Sequence, residues 1–466
     1  MADMRRTPGA LPASARRGYA LGSIATGAFG TVPGLLLLPY LTDRLGIAAG
    51  LAGLIVFLPK AWDTLLNPIA GRISDRSENP GGRRRPFLLT AGAALAICFA
   101  LLFFGPTSPA GLAATWVVVT FLACATAFAF FQVAYVAMPA EMTDSYDERT
   151  RLMTWRVAIL AVAILVSGGI SPAIRDALPA GWDYRAVGVF VGVLILLGAL
   201  GAWRGTAGIP MRRYGEAGGS LMDQLRIVAR ARNFRLLLIT FVIQALAVGA
   251  MLAGVDYVSR IYLGADGMST LLFVAFVGPA LLVTPLWQRV GERFDKRTGY
   301  LAASALLGGG ALLTLLTLRT TIPVLIASVG VVGVGYAGAQ MFPMAMLPDN
   351  AAVDGARTGE NRVGVYTGVW TAGETFGLAL GPLVYATILS IGGYVSSTDG
   401  AVAQPETAVT AVAWGFTILP AALIAVSVLP LLRYRLDQGE VEAAIAAGVL
   451  ADDDPQGGAH VPPPVR

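Results

Sequence analysis

Lys60, Asp63 and Asn67 stand at positions i, i+3 and i+7 of an otherwise apolar stretch, so a helix there carries all three on one face. A charge in the middle of a membrane-spanning helix costs at least ~2.5–3.5 kcal/mol on insertion scales, so it must face a polar interior or a partner. The proton affinity of a carboxylate in a low-dielectric bundle depends on what surrounds it. Asp63 is therefore the candidate proton or coupling-cation site, with Lys60 and Asn67 tuning it. The plain alternative is that Lys60 and Asp63 only neutralise each other. Beyond Asn67 the chain leaves its apolar phase through Gly71, Asp75 and Arg76 and ends in the basic run Arg83, Arg84, Arg85. A basic loop directly after an apolar span fixes the side of the membrane it faces.

Composition gives the frame that must hold these residues. Of 466 residues 55% are hydrophobic and only 14% charged, against about a quarter charged in soluble chains. Apolar runs long enough to cross a bilayer fall at 19–41, 49–73, 86–106, 113–139, 153–173 and 186–203. After an arginine-rich stretch at 204–235 come 236–256, 269–290, 299–318, 322–347, 363–390 and 408–432. With the N-terminus inside, the inner segments carry 28 basic residues and the outer ends five. That bias predicts twelve helices with both termini cytoplasmic. The expected organisation is an all-α membrane protein with a leader at 1–18, six-helix bundles at 19–203 and 236–433, a cytoplasmic connector at 204–235, and a partly disordered tail at 434–466.

The halves echo each other. Gly71-x-x-x-Asp75-Arg76 follows the second span, and Gly291-x-x-x-Asp295-Lys296-Arg297 follows the eighth, 220 residues later. Weak symmetry between six-helix halves marks transporters whose substrate site lies between the halves. Gly71, Asp75, Arg76, Arg83, Arg84, Arg85, Asp295 and Arg297 are accordingly expected to form a cytoplasmic gate. Cys98 and Cys124 fall inside spans and the single His460 in the tail, so no metal centre or other cofactor is expected beyond a coupling ion, H+ or Na+. No basic face with interleaved aromatics points to nucleic acid. The absence of a nucleophile–base pair argues against an enzyme.

Four ordered stretches resemble the glycoside–pentoside–hexuronide:cation symporter family of the major facilitator superfamily. They are Trp62-Asp63-(x)3-Asn67-Pro68-(x)2-Gly71-(x)2-Ser74-Asp75-Arg76 with Gly82 to Phe87; Tyr135-(x)3-Pro139 through Glu141 and Asp147 to Arg156; Met346 to Asp349 with Arg357 to Tyr366; and Trp370-Thr371-(x)2-Glu374-(x)2-Gly377 to Gly381. The resemblance implies the major facilitator fold and sugar–cation symport. In the melibiose-permease pattern of that family two aspartates four residues apart hold the cation. Here they fall on Asp63 and Asn67, while the neighbouring asparagine falls on Leu66 and a threonine on Phe128. One carboxylate and one amide oxygen favour a proton over sodium.

The resemblance carries the sugar-binding acids onto Gly27 and Phe131, the stacking aromatic onto Tyr135, the sugar-binding arginine onto Arg156 and a lysine onto Thr375, beside Glu374. Loss of both acids, with Phe128, Phe130, Phe131, Tyr135 and Gln132 nearby, suggests a glycoside-like or amphipathic substrate. Glu374 is expected to pair with Lys60 or Arg156 or to bind a proton. Gln244, Tyr257 and Gln340 are further polar candidates, and Asp256, near the outer end of its span, is expected to meet water. The expected protein is a monomeric inner-membrane symporter of a small molecule, working by alternating access within the lipid bilayer. A proton-coupled exporter of a hydrophobic compound is the alternative.

Overall fold

Apolar runs punctuated by proline, glycine and charge become twelve long helices in the computed structural model, which describes residues 11–77, 84–143, 146–209, 230–265, 267–358, 363–398 and 402–436, with positions 439, 441 and 443. The first six are α1 (Ala13–Asp43), α2 (Ala49–Asp75), α3 (Arg85–Leu102), α4 (Ala110–Met142), α5 (Tyr146–Ala177) and α6 (Asp183–Gly205). The second six are α7 (Arg232–Tyr262), α8 (Met268–Phe294), α9 (Lys296–Thr317), α10 (Ile322–Thr358), α11 (Val363–Ile391) and α12 (Glu406–Leu432). Each is long and apolar enough to span a bilayer. Large apolar side chains such as Leu197, Leu316 and Leu429 stand exposed on the outside, as a lipid-facing surface requires.

In the first bundle α1 packs on α5 and α6, α3 on α4 and α6, and α2 on α4; in the second α7 packs on α11 and α12, α9 on α10 and α12, and α8 on α10. Adding six to each helix number of the first set gives the second. The bundles meet along α2–α11 and α5–α8, a pairing that the same operation exchanges, and where α7 crosses α1. Lipid tails supply no hydrophobic drive between helices, so close backbone contact must. A Cβ on Gly18 would lie 2.3 Å from the Cα of Gly205, and one on Gly381 would lie 2.4 Å from the backbone of Gly249. Those glycines set the α1–α6 and α7–α11 spacings.

An even number of crossings puts the start of α1 and the end of α12 on one face, here the terminal face; the other is the distal face. Near the distal face both lead helices contain a π turn, Pro33–Leu37 in α1 and Val258–Tyr262 in α7. Such a turn shifts the phase of the side chains around it. Thr42 and Asp43 follow the first turn, and Arg260 lies in the second. At the terminal end Asp295, at φ +109°, accepts from the Thr298 N–H at 2.7 Å and caps α9.

The α7–α11 contact generates a test. Gly249→Val is expected to force the helices apart and cost about 1–3 kcal/mol, read as a lower melting temperature in detergent. Gly309→Ala, where a Cβ meets nothing within 4 Å, should leave the melting temperature unchanged.

Candidate functional site

The helical period places Lys60, Asp63 and Asn67 on the α2 face that turns from the lipid. Asp63 is buried at 4% exposure, and its Oδ1 finds no hydrogen-bond partner among the described residues. The buried Oδ1 of Asn67 is also without a partner. No ion pair joins Lys60 to Asp63; the Lys60 ammonium lies 5.4 Å from the ring centre of Phe29 on α1. Phe128 of α4 packs on that ring at 4.5 Å. The lysine is thus held by an aromatic pair, and the carboxylate one turn on keeps an oxygen open to a proton or cation.

The predicted substrate face divides. Tyr135 and Phe131 are wholly covered and stack at 5.7 Å. The Tyr135 hydroxyl donates to the Tyr19 carbonyl at 3.0 Å and lies 2.9 Å from the Ser23 hydroxyl, while the Tyr19 hydroxyl donates back to the Tyr135 carbonyl at 3.3 Å. These two aromatics therefore join α1 to α4. At the edge of the cluster Arg156, half-buried, lies 5.5 Å from the Tyr135 ring centre with its buried Nε unpartnered; Gln132 Oε1 is unpartnered as well. Phe130 packs on Phe87 at 6.1 Å, away from Phe128. Gly27 is a contact point between α1 and α5, where a Cβ would meet the Ala163 Cβ at 3.0 Å and the Leu160 carbonyl at 3.2 Å. Thr375 is half-buried on α11. Its neighbour Glu374 makes no ion pair with Lys60 or Arg156; it lines a small cavity of the second bundle with Gln244, Tyr336 and Gln340.

The contacts described for the residues expected to gate the terminal face lie within their own bundles. Arg84 donates to Glu141 at 2.7 Å and to the Ser74 hydroxyl at 2.9 Å, and Ser74 donates to the Gly71 carbonyl at 2.9 Å. Arg85 donates to the Trp203 carbonyl at the end of α6 at 3.0 Å, and Arg297 to the Leu432 carbonyl at the end of α12 at 2.7 Å. Lys296 pairs with Asp349 at 2.6 Å. Arg76 is exposed and Asp295 caps α9. Arg83, the Asp75 side chain, most of the connector and most of the tail lie outside the described residues.

Among the described residues, polar links between the bundles occur at the distal face, and sequence reasoning missed them. Asp256, expected to meet water, is fully buried. It takes Arg175 from across the seam, Arg260 at 2.8 Å and the Ser269 hydroxyl at 2.9 Å. Arg260 also reaches across to Asp43, which accepts from the Tyr394 hydroxyl at 2.6 Å. The Asp176 carboxylate accepts from Arg175 at 2.6 Å and from the Gly267 N–H at 3.1 Å. The Thr42 and Tyr257 hydroxyls lie 2.7 Å apart, and the Ser397 N–H donates to the Thr42 carbonyl at 3.0 Å. Between described residues, every hydrogen bond and ion pair that joins the bundles is at this face. The burial of Tyr394, strengthened by the adjacent Asp43 charge, pushes its phenol far above the ordinary range, so it remains a donor. A sequence signal existed: Arg175 and Arg260 are two of the few basic residues on the arginine-poor side, and Asp256 and Arg260 are one helical turn apart.

The profile of the MFS/sugar transport protein family matches residues 18–438. The uncharacterized symporter sll1374 of Synechocystis sp. is 25% identical, covering 83% of this chain and 87% of its own. The isoprimeverose transporter of Lactiplantibacillus pentosus is 23% identical, covering 92% of this chain and 90% of its own. Among solved structures, a bacterial homologue of the human lysosomal transporter Spinster, inward-facing and unoccupied, superposes with a TM-score of 0.66 at 14% identity, over 94% of this chain and 97% of that one.

The site yields a contrast in stability. Asp256→Asn leaves two buried guanidiniums short of a counter-charge and is expected to cost about 3–5 kcal/mol, seen as a marked fall in melting temperature. Asp63→Asn removes an unpartnered carboxylate and is expected to melt no lower than the parent protein.

Proposed function

Since the chain belongs to the MFS/sugar transport protein family, and there to the glycoside–pentoside–hexuronide:cation symporters of the major facilitator superfamily, we propose that it carries a glycoside-like or amphipathic small molecule together with a proton. The observation that carries this reading is the open oxygen of buried Asp63 on the α2 face beside Lys60 and Asn67. A proton neutralises such a group with a single bond. Sodium would need several more oxygens than Asn67 alone offers on that helix. The unpartnered Nε of Arg156 and Oε1 of Gln132 are the substrate contacts of this reading, with Thr375 on α11 the candidate from the second bundle. The relative named for isoprimeverose supports a sugar-containing substrate.

The terminal face carries most of the basic residues and is the cytoplasmic one, in a bacterial inner membrane. The closed distal network corresponds, in this reading, to an inward-facing conformation. Opening outward separates Arg175 from Asp256 and Arg260 from Asp43. The bundles then rock about the central site. One monomer contains all of these parts.

The test uses protein reconstituted in liposomes with sodium held constant. An imposed inward proton gradient is expected to drive accumulation of a transported glycoside. Asp63→Asn should reduce this to downhill equilibration while leaving substrate exchange measurable. Full accumulation by that variant, or movement of the substrate against the proton flow, contradicts symport through Asp63.

A further inference from the structure

Gln244 of α7 is 2% exposed and lies across the second bundle from the site above. Its Nε2 donates to the Ser304 hydroxyl at 2.9 Å and to the Ser427 hydroxyl at 3.0 Å. Each serine gives its only proton to a carbonyl of its own helix, Tyr300 at 2.8 Å and Ile424 at 2.7 Å, so both serines can only accept. This fixes the orientation of the amide. Oε1 must point away from the serines, and there it is buried with no partner. It lines a cavity of about 10 Å³, the size of one water-sized sphere, together with Glu374, Gln340 and Tyr336. Gln340 lines the same cavity, its Nε2 3.1 Å from the Tyr336 hydroxyl, and its Oε1 makes no hydrogen bond with a described residue.

Four residues that carry side-chain oxygens, Gln244, Gln340, Tyr336 and Glu374, line this space for one small sphere. Glu374 forms no ion pair or hydrogen bond with a described residue, and the cavity lining holds no lysine, arginine or histidine. The charged groups in the middle of α2, which packs along α11, are Lys60 and Asp63, and neither pairs with it. The polar groups on this wall are all oxygen donors around one negative charge, the remainder being apolar, and such donors suit a hard cation. A divalent ion would leave a net positive charge buried, which the low dielectric opposes. A monovalent ion balances the site.

We propose that Glu374, Gln244 and Gln340 form a binding site for a monovalent cation, sodium, inside the second bundle and separate from Asp63. The sequence could not supply this. Gln244, Gln340 and Glu374 are far apart along the chain, and only the serine pair turns the Gln244 oxygen toward the carboxylate. The site does not depend on the coupling role of Asp63, and the two claims fail separately.

Purified protein in detergent is melted at fixed pH and ionic strength with sodium chloride replacing choline chloride. The expected result is a melting temperature that rises with the logarithm of sodium concentration once the site is saturated, as for any ligand of the folded state. The rise should be absent in Glu374→Gln, reduced in Gln340→Ala, which leaves the buried serine pair untouched, and intact in Asp63→Asn. Size-exclusion profiles matching the parent show that the variants are folded. No sodium effect on the folded parent overturns the proposal. So does an equal effect in Glu374→Gln, an effect lost in Asp63→Asn instead, or a melting temperature that responds to pH alone.

Discussion

A charge taken out of water inside a bilayer must be matched by another charge or left able to take one up, and the two ends of the seam between the bundles resolve that constraint oppositely. At the distal face two buried aspartates and two arginines satisfy each other across the seam. Asp256 receives both guanidiniums and a serine hydroxyl, and Asp43 receives Arg260 and the Tyr394 phenol. In the middle Asp63 is as deeply buried, but with one oxygen unbound. The first arrangement holds a conformation, and the second leaves a group whose charge can change.

That difference can link loading to movement. Opening the distal face exchanges buried, saturated ion pairs for hydrated ones, and the desolvation already incurred makes the balance small compared with the gross attraction. Shifting a two-state equilibrium from 1:99 to 99:1 takes about 5.5 kcal/mol of differential binding. Under the proposed symport, proton and substrate shift this equilibrium only by the difference in their affinity for the two conformations. The π turns in α1 and α7 place the lock on the lead helix of each bundle, so any relative tilt acts on it directly.

Much of this was legible in the chain. Twelve apolar runs, the arginine bias and the repeated Gly-x-x-x-Asp motif are one-dimensional records of lipid contact, orientation and duplication. Asp63 could be read from helical spacing because its neighbours on that face are local. The distal network could not be read in the same way. Asp43, Arg175 and Asp256 come from three helices and Tyr394 from the loop after α11, and an acid near a span end is on average solvated. Tyr135 and Phe131 misled for the related reason that an aromatic face predicts burial without saying against what. Here α1 covers it, with Tyr19 stacked on Tyr135 at 4.6 Å. Arg84 and Arg297 had the chemistry of a gate, but nearby carbonyls and an acid of their own bundle already occupy them.

The central claim is that the proton affinity of Asp63 alone sets the coupling, and infrared difference spectroscopy of the purified protein through a pH titration tests it most directly. With Asp63 as the coupling acid, a protonated-carboxyl stretching component appears and disappears with pH in the parent, survives replacement of Glu374 by glutamine, and is missing when Asp63 is asparagine. A titration whose carboxyl bands are identical with aspartate or asparagine at position 63 would contradict it.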